Sequence, residues 1–369
     1  MKILIQVHRM IGGGAERVAA SWANGLAKLG DDVMILSDHS AGTYPLDPKV
    51  KLIQKDLLSP ANNSLIKKLR NKILASLKTF RQIRSILASE KPDAIVNVLY
   101  HNHIIALLAR CFSRHKCPII MTDHNPYERP ENAKMPLRKR INKFFDNRFF
   151  DKVTVLTGPD KEILNRKGIR NVEVLHNPLF LAPVKEIPEK ENIVMACGRI
   201  NDWHYKGFDI LMKAWSEIGP RHPEWKLRVV GAGSEANKKK LKQITGAGAD
   251  SLEFVEYTTD IIGEYRKAAI FVLSSRYEGW GLVMVEALSQ GCAVIASNYK
   301  GRQAEAIRDG ENGLLVPPEN VGELKNKLNL LIEDKKLRET LQKEAPRNLE
   351  EYSEEKTAAR LKEIIRSSI

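Results

Sequence analysis

The sequence predicts an α/β protein made of two doubly wound domains, each a parallel sheet between layers of helix. Short apolar runs of strand type alternate with helical stretches along both halves, the pattern of βαβ units. At 369 residues the chain is long enough for two ordinary domains, each with its own core. The alternation breaks once, through HNPLFLAPVKEIPEKEN (His176–Asn192), where proline and charge rise and periodicity falls. The expected division is 1–180, 181–350 and a last helical segment, 351–369.

In the first half KILIQV, DVMILSD, AIVNVL, PIIMTDH and KVTVLT read as strands, with GAERVAASWANGLAKLG as the helix after the first. In the second half NIVMACG, KLRVVGAG, LEFVE, IFVLSS, AVIASN and GLLVPP do so, with FDILMKAWSEIG among the intervening helices. Between IFVLSS and AVIASN, the run LVMVEALSQG reads as a helix that opens at about Leu282 and stops at Gly291. The tail from Val321 onward is mostly helical and strongly charged.

Composition narrows the class. With 43% hydrophobic and 28% charged residues, the chain is globular rather than disordered. No apolar run approaches a bilayer span, and MKILIQVHRM is too short and polar for a signal peptide. The four cysteines form neither CxxC nor a metal-type spacing with histidine, which fits a reducing cytoplasm. Charge is divided unequally: residues 1–187 hold 31 Lys+Arg against 17 Asp+Glu, and the remainder holds 28 of each. The excess concentrates in Ser64–Lys91 and in KMPLRKRINKFFDNRFFDK (Lys134–Lys152). The first places Leu65, Leu69, Ile73, Leu77, Phe80, Ile83 and Leu87 at helical spacing; the second mixes basic residues with Phe144, Phe145, Phe149 and Phe150. Basic, apolar surfaces of this kind suit anionic lipid headgroups, and ordinary solvated helices read the same way. No zinc-finger, RRM or helix-turn-helix signature points to nucleic acid.

Ligands of doubly wound sheets bind beyond the carboxyl ends of the strands, so the loops at that edge carry the functional candidates. RYEGWGLVMVEALSQG puts Glu278 on the loop after a strand and Glu286 one turn into the following helix, leaning back toward the same mouth. Gly279 and Gly281 allow close backbone approach, and the amides at Gly281, Leu282 and Val283 form an anion site. A pocket that holds a phosphate beside two hydroxyl-bearing groups describes a nucleotide sugar. Glutamates near helix starts also serve the macrodipole, yet Glu278 lies in the loop and not in the helix. In CGRINDWHYKGFDIL, Arg199 and Lys206 sit beyond another strand, placed to neutralise a diphosphate. MIGGGAERV brings Gly12, Gly13 and Gly14 to a helix start; Arg17 occupies the third glycine position of the dinucleotide fingerprint, and Asp38 leaves that reading open. His124, ending the fourth strand of the first half, is placed to touch a sugar, although a lone histidine is more often structural. Gly231 and Gly233 mark a tight turn after KLRVV.

These residues resemble a known family. Glu278-Gly-Trp-Gly-Leu-Val-Met-Val-Glu286 is similar to the E-x7-E motif of retaining glycosyltransferases of family 4, which have the GT-B fold: two Rossmann-like domains facing a central cleft. GGGAER, the segment from Gly198-Arg199-Ile200 to Lys206-Gly207-Phe208 and the closing GENGLLVPPEN match in the same order over nearly the whole chain. The resemblance implies metal-independent, cofactor-free transfer of a hexose or N-acetylhexosamine, with retention, from a nucleotide sugar, UDP-linked in preference to GDP. It implies Glu286 on the ribose and Glu278 on the donor sugar. Arg199, Lys206 and the amides at Gly281 to Val283 fall on the diphosphate, with Tyr257 beside the base through its backbone. Gly13 and Gly14 fall where donor phosphate and acceptor meet, and His124 on the donor sugar. The acceptor site belongs to the N-terminal domain and the final helix returns to it. Relatives with GGGAER act on lipid-diphosphate-linked acceptors in bacterial surface-polysaccharide (lipopolysaccharide, O-antigen) assembly. That implies a cytoplasmic enzyme docked peripherally on an anionic membrane surface, the inner face of the plasma membrane. INDWHY, longer and more aromatic than in many relatives, leaves the phosphate geometry less defined. The rival readings are a nucleotide-sugar epimerase of GT-B type and a non-enzymatic protein that binds anionic lipid. A glycosidase would use two carboxylates but has no need of the phosphate-binding groups.

Overall fold

A computed structural model describes the chain except for residues 9, 11–12, 39–43, 55–64, 101, 131–136, 138–142 and 144–146. The chain forms two compact units, Met1–Phe180 with Tyr352–Ile369, and Leu181–Glu351.

In the first unit seven strands form one parallel sheet: β1 (Lys2–Gln6), β2 (Asp32–Ser37), β3 (Lys51–Gln54), β4 (Ala94–Val98), β5 (Ile119–Thr122), β6 (Lys152–Val155) and β7 (Val172–Val174). Their order is β3-β2-β1-β4-β5-β6-β7. Strands covered on both faces read as near-continuous apolar runs, as in the Ile3–Ile5 stretch of β1 and in β4, where buried Asn97 is the one polar interruption. Alternate residues of β1 serve the two cores: Ile3 and Ile5 pack with helix α1 (Gly14–Lys28), and Leu4 packs on the face of α2 (Leu65–Ser89) and α3 (His103–Cys111). Helix α4 (Gly158–Arg166) connects β6 to β7.

The second unit holds a six-stranded parallel sheet of β8 (Glu191–Cys197), β9 (Lys226–Val230), β10 (Leu252–Val255), β11 (Ala268–Leu273), β12 (Ala293–Ser297) and β13 (Leu314–Val316), in the order β10-β9-β8-β11-β12-β13. Its helices are α5 (Phe208–Ile218), α6 (Glu235–Thr245), α7 (Ile261–Lys267), α8 (Leu282–Ser289), α9 (Val321–Glu333) and α10 (Lys335–Glu344). Ser234, Asp260, Asn320 and Asp334 cap α6, α7, α9 and α10 with their side chains. Helices α5 and α8 instead open at Gly207 and Gly281, both left-handed and without a side-chain cap. Those two follow β8 and β11, the neighbouring strands at which the sheet order reverses, where doubly wound sheets receive ligands. In α5 the Phe208 and Ile210 amides already donate to the Trp203 and Gly207 carbonyls, so α8 offers the better anion site.

The last helix, α11 (Glu354–Arg366), belongs to the first unit and lies against α1. The approach is close at Gly25: a methyl there would meet Ala358 Cβ at 2.6 Å and the Glu354 carbonyl at 2.7 Å.

Two sequence expectations need correction. Among the described residues the first half has seven strands and not five, because β3 and β7 are edge-side strands of four and three residues, too short to show a period. His124 therefore follows the fifth strand. Lys143, read from sequence as part of a solvent-facing basic surface, is buried in an ion pair with Asp123 and faces the rings of Tyr100 and Tyr127. Arg138, Lys139, Arg140, Phe144 and Phe145 of the same segment lie outside the described residues.

Candidate functional site

In the second unit the site is assembled from the loops after β8 and β11. The ends of β8 and β9 approach so closely that a Cβ on Gly231 (φ +149°) would run into the Gly198 carbonyl. Beyond Gly198 the chain makes a short 3-10 turn at Ile200–Asp202 and then reaches Tyr205, Lys206 and Gly207. Gly207 takes φ +65°, and a Cβ there would overlap the Ser274 carbonyl at the end of β11. The Ser274 hydroxyl also donates to the Lys206 carbonyl at 3.0 Å. Glycine at 207 thus lets two loops about seventy residues apart pack backbone on backbone.

That contact places the chemistry. Lys206 Nζ lies 3.0 Å from Glu278 Oε2, Tyr205 donates its hydroxyl to Glu278 Oε1 at 3.0 Å, and Ser275 donates to Oε2 at 3.1 Å. The pair is mostly enclosed, 17% and 16% exposed at the side chains. The lysine stem crosses over Gly198, where an added Cβ would meet it at 3.3 Å. Beneath, Arg276 holds Asp209 of α5 through two bonds of 2.7 Å, which sets the loop after β11 against the first turn of α5. Burial alone would raise the Asp209 carboxyl; the Arg276 bonds outweigh it and hold the pKa below the usual range.

Gly281 caps α8 at φ +90°, where its Cβ would meet Leu273 at 2.9 Å. The first-turn amides at Leu282 and Val283 have no intrahelical acceptor by the geometry of any helix start. One turn on, Glu286 is 3% exposed and accepts a 2.9 Å hydrogen bond from the Tyr265 hydroxyl of α7. Full burial, with the Glu286 charge next in weight, drives the Tyr265 phenol well above its ordinary pKa, so it remains a donor.

Arg199 is placed differently from Lys206. Its side chain is 80% exposed and pairs with Asp202 at 2.7 Å, apart from the Glu278 cluster. Tyr257 follows β10 and is 68% exposed.

In the first unit Gly13 is the N-cap of α1, with its carbonyl bonded by the Tyr44 hydroxyl at 3.2 Å; a Cβ on Gly13 would fall on the Glu16 carboxylate. A Cβ on Gly14 would meet nothing within 4 Å among the described residues. Gly12 lies outside the described residues. His124 has both ring nitrogens engaged, Nδ1 with Asn177 Oδ1 at 2.8 Å and Nε2 with Thr122 Oγ1 at 3.1 Å, and its ring is 5.6 Å from that of Trp22. Burial lowers its pKa, against the Asn177 bond and the Asp123 charge, so the ring is neutral near pH 7.

Comparison with known proteins agrees with this architecture. The family model "Glycosyltransferase Family 4" matches residues 12–181 and "Glycosyl transferases group 1" matches residues 180–348. The chain belongs to the GT-B glycosyltransferases. A Campylobacter jejuni relative, GalNAc-α-(1→4)-GalNAc-α-(1→3)-diNAcBac-PP-undecaprenol α-1,4-N-acetyl-D-galactosaminyltransferase, is 26% identical over 95% of this chain and 94% of its own. Sucrose-phosphate synthase from Thermosynechococcus elongatus superposes with a TM-score of 0.81 at 21% identity, over 99% of this chain and 98% of its own. Anabaena HepE in complex with UDP and glucose gives 0.75 at 20% identity, over the full length of both chains.

For this candidate site, local sequence is informative about some groups and silent about others. Glu278 and Lys206 meet, and Gly281 opens α8 with Glu286 one turn on. Tyr205 and Ser275, both bonded to Glu278, carry no motif of their own, though each adjoins a candidate or a strand end. Tyr265 leaves no local signal in IIGEYRK; its role follows only from the packing of α7 against α8.

Proposed function

We propose that this glycosyltransferase moves a hexose or N-acetylhexosamine from a UDP-sugar, with retention of anomeric configuration, to a lipid-diphosphate-linked saccharide in surface-polysaccharide assembly at an anionic membrane surface. The observation that carries the reading is the juxtaposition of Lys206 and Glu278 beside an uncapped helix start, with Glu286 behind it. One carboxylate for sugar hydroxyls, one for ribose hydroxyls, and a cation with free amides between them match the order of groups along a nucleotide sugar. In this reading Glu278 accepts from the donor sugar and Glu286 from the ribose. Lys206 and the amides of Gly281, Leu282 and Val283 take the diphosphate, with Arg199 swinging from Asp202 to join them. Charge that develops on the leaving phosphate meets donors already oriented, which is where electrostatic catalysis has its largest effect. Tyr257 lines the base. In the first unit Gly13 and Gly14 fall where donor phosphate and acceptor meet, and the neutral His124 contacts the donor sugar. The Campylobacter relative, named for an undecaprenol-linked acceptor, supports the acceptor class, and the Anabaena complex supports UDP.

Incubation with UDP-sugars and an undecaprenyl-diphosphate saccharide should release UDP only when both are present, with an α-linkage in the product from an α-donor. Lys206→Met and Glu278→Gln should each lower turnover by roughly a hundredfold or more. Turnover should persist in EDTA, because Lys206 and the helix amides supply the positive charge. An epimerised UDP-sugar formed without acceptor, or a metal-reversible loss of all turnover, would overturn the assignment.

A further inference from the structure

Helix α2 is longer than the core it serves. Ile73, Leu77, Phe80, Ile83 and Leu87 follow one helical stripe, and its C-terminal part is sealed: Ile83 and Leu87 are fully buried, with Phe80 packed against them. Toward the N-terminus the stripe runs off the core. Leu77 is 47% exposed, Ile73 53% and the adjacent Leu74 41%. The neighbouring α3 continues the pattern with Ile104 at 48%, Leu108 at 46%, and Phe112, just after the helix, at 66%. Phe112 meets Phe80 edge-on at 6.2 Å, so the two helices join their apolar residues into one surface. Of the twelve large hydrophobic side chains exposed among the described residues, six belong to this surface, which singles it out from scattered exposure.

Charge says what covers it. Over its 25 residues α2 carries seven Lys and Arg and no acidic residue, and α3 carries no acidic residue either. Arg70, Lys78, Arg81 and Arg84 are exposed alongside the apolar positions. A second copy of this chain would bring an equally cationic face, so self-association is opposed by like charge. An apolar strip fringed with cations on a helix about 38 Å long has the chemistry of an interfacial amphipathic helix. Among the described residues no helix is long and apolar enough to cross a membrane, so α2 can lie on a bilayer but not span it.

We propose that the α2–α3 face is a bilayer-docking surface, with Ile73, Leu77, Leu108 and Phe112 entering the acyl boundary of an anionic leaflet and Arg70, Lys78, Arg81 and Arg84 at headgroup level. It stands on exposure and charge and not on the sugar-transfer reading. It also replaces Lys143 as a docking residue, since that side chain is buried.

The test is co-sedimentation of the full chain with phosphatidylglycerol–phosphatidylethanolamine vesicles and with pure phosphatidylcholine vesicles. The protein should sediment with the former, weaken in salt near 1 M, where the Debye length is about 3 Å, and keep a salt-resistant remainder from the inserted side chains. Ile73→Gln/Leu77→Gln/Leu108→Gln should lower partitioning by about ten- to a hundredfold and abolish that remainder. Lys78→Gln/Arg81→Gln/Arg84→Gln should lower binding to the anionic vesicles by about a hundredfold, a factor of about five per cation. Both variants should titrate UDP as the parent protein does, which reads the sugar site separately. Leu77→Trp, which keeps an apolar side chain, should shift its emission to the blue on anionic vesicles. Unchanged sedimentation of the apolar variant, no shift from Leu77→Trp, or a dimer that the apolar variant turns into a monomer in light scattering would each overturn the proposal.

Discussion

Glu278 receives three hydrogen bonds, from Tyr205, Lys206 and Ser275, and each comes from a backbone that Gly207 and Ser274 hold in register. Its orientation is therefore set before any ligand arrives. Glu286 accepts from the Tyr265 hydroxyl. If Glu286 binds ribose, Glu286→Gln should weaken UDP by about ten- to a hundredfold, from a charge-assisted bond of about 1.5–3 kcal/mol. Tyr265→Phe should weaken it less, because the carboxylate remains and loses only its orienting donor. Calorimetric titration that ranks the two the other way would separate Tyr265 from the site. His124 supplies a pH signature. Its folded pKa is lowered from 6.5, so the unfolded chain takes up the proton first. Stability from this group is complete above about 6.5 and declines as the pH falls through the window below it. Urea midpoints between neutral and mildly acid pH should fall less in His124→Asn than in the parent protein.

Helix packing decides the elements in ways that propensity does not. Replacing a helical glycine by alanine ordinarily gains about 0.5–1 kcal/mol. At Gly25 the new methyl would stand 2.6 Å from Ala358 Cβ and 2.7 Å from the Glu354 carbonyl, so α11 must move off α1. Overpacking of this kind costs about 1–3 kcal/mol, which exceeds the gain, and Gly25→Ala should lower the melting temperature. Gly14→Ala meets nothing within 4 Å among the described residues and should leave stability level or raise it. Its expected effect is on turnover, where the added methyl intrudes on the space proposed for the reacting groups. Measured together, the two variants distinguish a glycine required by packing from one required by a ligand. The strands show what local pattern can reveal. All six of the second unit are legible as apolar runs, since strands sealed on both faces leave no room for polar alternation. KLIQ and VEV are too brief to carry a pattern, and only sheet pairing at β2 and β6 makes them strands.

For the whole molecule, α11 is the element on which the first unit's integrity turns. Leu361, Ile364 and Ile365 are at most 2% exposed in that core, and each is worth about 1.5–3 kcal/mol of burial. Lys362 also pairs at 2.7 Å with Asp31, whose side chain is 1% exposed. A chain ending at Glu351 should lose most of the 5–15 kcal/mol that folded proteins possess in its first unit while Leu181–Glu351 keeps its own core. Scanning calorimetry should then show one melting transition lost or strongly lowered and another retained. The sequence by itself determined the fold class, the strand set of the second unit, the family resemblance and the cationic bias of the N-terminal half, because these reside in windows of ten to twenty residues. Only the tertiary structure decided that Lys206 lands on Glu278, that Tyr265 supports Glu286, that Lys143 is buried, and that Ile73 and Leu77 of the α2 stripe stay outside the core. The reason is sheet order: β8 lies beside β11 although more than seventy residues separate their starts, so which side chains meet is set by strand neighbours and not by chain neighbours.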